Sequence, residues 1–145
     1  MSYSRVLDWI FRLVLAAAFL LAGVEKARDP IRFLFDIRSF HLLPDPYAAL
    51  VALGLPWLEL VCAAGVLGRL LYAGSLAVLG ISLAVFMGAI AWSWHRGLDV
   101  SCGCFGETDF AMTYAQHLLL NGTLLGMAGW LLWREHRKTR QSKPA

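Results

Sequence analysis

Residues 47–67 read YAALVALGLPWLELVCAAGVL, with a single charged side chain, Glu59, in the whole stretch. A bilayer core demands about 20 apolar residues per helical crossing, and long uncharged runs are its signature. Three further stretches of the same kind flank this one, over residues 6–24, 70–94 and 112–133. At about 1.5 Å per residue each is long enough to cross a hydrocarbon core of roughly 30 Å. Unpaired backbone cannot face lipid, so all four are expected to be helices. The fold class is an all-α membrane protein, a four-transmembrane-helix bundle.

The composition agrees. Of 145 residues, 59% are hydrophobic and 16% charged, and the mean hydropathy is +0.60. The chain is one domain in length. Residues 1–133 form the transmembrane domain, and residues 134–145, REHRKTRQSKPA, read as a disordered basic cytoplasmic tail. A net charge of +3 is no sign of nucleic-acid binding in such a chain; the placement of the cations matters more than their sum. The first apolar run is expected to be retained as a helix. No small-x-small cleavage site follows it, and Asp8 and Arg12 interrupt the pattern of a signal peptide.

With four spans, both termini and the turn near Arg69 share one side. That side holds eight cations: Arg5, Arg12, Arg69, Arg134, Arg137, Lys138, Arg140 and Lys143. The other holds five: Lys26, Arg28, Arg32, Arg38 and Arg96. The positive-inside rule places both termini in the cytoplasm, with the connection 25–46 and the hairpin 95–110 outside. In the first connection Asp29-Pro30 is an N-cap followed by proline at the first helical position. Phe33, Leu34, Ile37 and Phe40 recur at helical spacing among Arg28, Arg32, Asp36 and Arg38. A short amphipathic helix in the outer interface, between spans 1 and 2 and ended by LLPDP, is expected.

The second outer segment, HRGLDVSCGCFGETDF (residues 95–110), carries two of the three cysteines, Cys102 and Cys104. Neighbouring thiolates bind soft metals or exchange with disulfides. A Cys-x-Cys bridge closes a small, strained and therefore easily reduced ring, and Gly103 tolerates the backbone angles it needs. His95, Arg96, Asp99 and His117 are expected near the pair, where a base or cation lowers a thiol pKa. Cys62 lies about 22 Å down the second span from Tyr47, out of reach of the pair, and reads as a small packing residue. His117 and Asn121, spaced i and i+4, read equally as a hydrogen-bonding pair across helices. Glu59 is an intramembrane carboxylate and so a functional candidate, with Arg12 or a backbone group as its partner.

At DVSCGCFG the sequence resembles the MauE family, membrane proteins of methylamine utilisation within the DoxX-like group. AGVEKARDP at the end of the first span and LPWLELVCAAGVLGR in the second are similar to that group's patterns, whereas YAQHLLLNG in the fourth has Gln116-His117 where the family often shows Arg-Asn. The resemblance implies a four-helix bacterial inner-membrane protein. Its partner would be a periplasmic thioredoxin-like, MauD-like protein, and it would support maturation of the disulfide-rich small subunit of methylamine dehydrogenase. The leading function is thus a thiol–disulfide relay through Cys102 and Cys104. A quinone is a candidate second redox partner by analogy with other disulfide-handling membrane bundles. The alternatives are a soft-metal site or transporter using Cys102, Cys104 and His95 or His117, and a non-catalytic membrane scaffold for a redox partner.

Overall fold

The computed structural model describes residues 3–97 and 113–141. These form five helices: α1 (Tyr3–Arg28), α2 (Pro30–Ser39), α3 (Tyr47–Gly68), α4 (Tyr72–His95) and α5 (Tyr114–Gln141). α1 (from Arg5), α3 and α4 are long and apolar enough to cross a membrane by length and composition. α5 has the length, at 28 residues, but His117 and Asn121 interrupt its apolar run and Arg134 opens a basic one. α1 packs chiefly on α3 and α4 on α5; the two pairs join through α3–α4 and α1–α5, and α2 lies against α3.

α1 runs past the apolar stretch to Arg28, because nothing in VEKAR breaks a helix. It ends where Asp29 precedes Pro30, a position that disfavours helical backbone. The Asp29 carboxylate then accepts from the Arg32 amide at 2.9 Å and caps α2. The α2 stripe points inward as its spacing predicts: Phe33 and Ile37 are buried, and Phe40 follows them. They pack with Ala48 and Ala52 of α3. A turn containing a cis Asp45-Pro46 bond leads into α3.

The main core joins all four long helices through Leu15 and Phe19, Cys62 and Val66, Leu76 and Leu79, and Leu124 and Leu131. Cys62 is buried there as a packing residue. Large side chains such as Leu50, Trp57, Val61, Ile81, Val85 and Leu119 face outward, as a bilayer requires and water does not. One contiguous stripe of α1 is buried, through Arg12, Leu15, Phe19, Ala22 and Lys26. It carries one cation near each end.

Two expectations need correction here. Residues 134–141 are helical rather than disordered, since α5 continues through Gln141. Contacts to the rest of the bundle hold its first basic turn: Arg134 bonds Asp8 of α1 at 2.9 Å, and Glu135 faces Arg69 at 3.7 Å. Lys26 is also no surface cation of the first connection. It lies within α1 and is 4% exposed.

Candidate functional site

Gly23 of α1 lies tight against α3. A side chain there would meet the Leu60 side chain at 2.9 Å and the Pro56 carbonyl at 3.3 Å. One helical turn on, Lys26 points at the same stretch of α3. Its ammonium donates to both oxygens of Glu59, at 2.9 and 3.2 Å. The two side chains are 3% and 1% exposed. Ser82 of α4 donates its hydroxyl to Glu59 Oε1 at 3.2 Å. Phe86 and Phe33 cover the ammonium, with ring centres 4.6 and 5.3 Å from Nζ. A buried charge is tolerated when paired and hydrogen-bonded. Three helices supply the polar atoms of this cluster, and α2 supplies part of its cover.

Two cavities touch the pair. A small one, of about 30 Å³, brings Lys26 and Glu59 together with Asn121 of α5. A larger one, of about 370 Å³, lies between α2, α3 and α4 and is walled by side chains such as Phe40, Leu55, Val78 and Phe86. Glu59 and Ser82 are its polar contributions. It is a largely apolar groove, half open, and Ile81 and Val85 of its wall also face outward.

The sequence-derived site residues fall into four groups. Glu59 is buried at the centre, but its partner is Lys26 rather than Arg12 or a backbone group. Arg12 lies 14 residues, about 21 Å, further back along α1, where it donates to the Val66 and Leu67 carbonyls at 3.1 and 2.6 Å. His95 and Arg96 lie exposed at the end of α4, with the Arg96 guanidinium 5.8 Å from the Trp92 ring centre. His117 is buried in the first turn of α5, and Asn121 is buried one turn deeper. Cys102, Cys104 and Asp99 lie outside the described residues. The segment that holds them runs between the end of α4 and the start of α5.

Lys26 and Ser82 were missed because each looks ordinary in sequence. Lys26 stands in the charged run EKARD, which reads as a loop. The available signal was periodicity: Phe19, Ala22 and Lys26 fall on one face, so the buried stripe continues through the charges.

The family described as Methylamine utilisation protein MauE matches residues 4–134. The chain belongs to the MauE family. MauE of Paracoccus versutus is 35% identical over 132 residues, covering 87% of this chain and 70% of that protein. MauE of Paracoccus denitrificans is 35% identical over 98 residues, covering 67% of this chain and 53% of that protein. MauE of Methylophilus methylotrophus is 35% identical over 118 residues, covering 80% and 60%. The matched part is therefore about half the length of the Paracoccus denitrificans MauE. No solved structure matches the chain.

Proposed function

We propose that this MauE-family chain is an inner-membrane thiol–disulfide redox protein. It is a four-span bundle with both termini in the cytoplasm and α2 lying in the outer interface. Cys102 and Cys104 form the exchanging pair on the periplasmic side. Their partner is a thioredoxin-like, MauD-like protein, and the exchange supports disulfide formation in a periplasmic substrate, the small subunit of methylamine dehydrogenase in the family.

The observation that carries this reading is the arrangement around the ends of α4 and α5. His95, Arg96 and His117 flank the segment that bears both cysteines. Asn121, one turn below His117, borders the same small cavity as Lys26 and Glu59. A cation or imidazole beside a thiol stabilises its thiolate, and these residues are the candidates for that role. Exchange proceeds by thiolate attack on a disulfide sulfur, through a mixed disulfide that the second thiol resolves. The apolar groove beside Glu59 is the candidate place for a quinone ring, which apolar contacts would hold, since the Glu59 carboxylate is already bonded by Lys26 and by the Ser82 hydroxyl.

Trapping tests the relay. Cys102→Ser and Cys104→Ser, expressed singly, should each leave a thiol that forms a long-lived mixed disulfide with a thioredoxin-like protein. A membrane-impermeant thiol reagent should label both cysteines in intact spheroplasts and leave Cys62 protected. The relay is wrong if both thiols stay reduced under strongly oxidising conditions and no mixed disulfide forms in either variant.

A further inference from the structure

At the opposite end of the bundle from Lys26, a second polar cavity of about 140 Å³ opens between α1, the α3–α4 turn and α5. Five cations line it: Arg5, Arg12, Arg69, Arg134 and Lys138. Among the described residues two carboxylates join them, Asp8 and Glu135. Asp8 is engaged by Arg134 at 2.9 Å. Glu135 is shared at long range between Arg69 at 3.7 Å and Lys138 at 3.9 Å. Arg12 is 5% exposed, and no carboxylate among the described residues reaches it. Its guanidinium is held by the Val66 and Leu67 carbonyls and lies 4.6 Å from the centre of the Trp9 ring. Arg5 likewise forms no ion pair among the described residues.

We propose that this cavity binds a phosphate-type oxyanion. Its charge does not cancel internally, and the excess is positive. The excess is also concentrated rather than spread: a guanidinium is fixed in the floor and flexible cations stand on the rim. The volume is that of several waters at about 30 Å³ each, enough for a tetrahedral oxyanion and too small for a lipid's acyl chains. Arginine forks match phosphate oxygens in pairs. Basic pockets between membrane helices on the cytoplasmic side take phospholipid headgroups. The same chemistry fits free phosphate, so the test separates the two.

The full chain, purified in neutral detergent, is titrated with inorganic phosphate by calorimetry. In parallel it is exposed to phosphatidylglycerol or phosphatidylcholine and examined by native mass spectrometry. Saturable binding of phosphatidylglycerol over phosphatidylcholine, displaced by phosphate, identifies a headgroup site. Saturable phosphate binding with no phosphatidylglycerol preference identifies a soluble oxyanion as the ligand. Arg5→Gln and Lys138→Gln should each weaken binding about fivefold, the factor that corresponds to about 1 kcal/mol per surface cation. Glu135→Gln should tighten it by a similar factor, and Arg5→Lys should restore what Arg5→Gln loses. Arg96→Gln, at the other end, should leave phosphate and phosphatidylglycerol binding as they are. The proposal fails if neither phosphate nor phosphatidylglycerol binds saturably. It also fails if Arg5→Gln and Glu135→Gln, both folded by circular dichroism, shift binding in the same direction.

Discussion

The two ends of the bundle handle charge in opposite ways. Near the α2 end one lysine and one glutamate are withdrawn almost completely from solvent, matched one to one and sealed with phenylalanines. At the other end cations outnumber carboxylates; the two pairs of Glu135 there are longer and more exposed, and the Arg134–Asp8 pair is only part-buried. The first arrangement depends on geometry, because a buried charge that loses its partner has nowhere to go. The second depends on solvent and salt, which screen each pair and keep it weak. Mutations should therefore separate the two ends by size of effect and by salt dependence.

The largest effect is expected at the buried pair. Lys26→Met or Glu59→Gln alone should cost about 3–5 kcal/mol in unfolding measured in detergent, because each strands its partner. The double change Lys26→Met with Glu59→Leu should recover most of that loss. A double variant as unstable as the sum of the singles would remove the distinction between the two ends.

These predictions rest on a contact that the sequence showed only by half. Glu59 was visible because a lone carboxylate in an apolar run has few explanations. Lys26 was not, since hydropathy weighs a residue by its neighbours in the chain, and its chain neighbours are charged. Its neighbours in space are Phe33 and Phe86. The short helix α2 was legible for the reverse reason, because its cap, its proline and its apolar stripe all lie within a dozen residues. The helical extension of α5 escaped notice because its anchor, Asp8, is 126 positions away. Three of the candidate site residues, Cys102, Cys104 and Asp99, were legible only as a motif. The rest of the site became a geometry once helices distant in sequence met.

An intermediate effect is expected at Arg12. Arg12→Leu leaves the Val66 and Leu67 carbonyls without their donor, a loss of about 1–3 kcal/mol in the same unfolding assay. Arg12→Lys should recover only part of it, because an ammonium lacks the planar fork that spans two acceptors. Close to this in size is Gly65→Ala. A methyl there would lie 3.0 Å from the Leu70 carbonyl, with the Ser75 hydroxyl closer still. Overpacking of this kind costs about 1–3 kcal/mol, and adding Ser75→Ala should return part of it.

The smallest effect belongs to the exposed pair. Arg69→Gln should cost less than about 1 kcal/mol, and less again in high salt. The buried-pair variants should show little salt dependence. A large, salt-insensitive loss at Arg69 would mean that the two ends are built alike after all.

The unequal positions of Lys26 and Glu59 along their own helices also bear on how the chain enters the membrane. Lys26 stands two residues from the end of α1, where a flexible stem can keep its ammonium at the headgroups until a partner arrives. Glu59 stands twelve residues into α3, about 18 Å from that helix's start, and its short side chain cannot reach either surface. The cost of a lone charge during insertion thus falls mainly on α3, at about 2.5 kcal/mol or more. α1 leaves the ribosome first, so its waiting lysine gives the later helix a counter-ion to dock against.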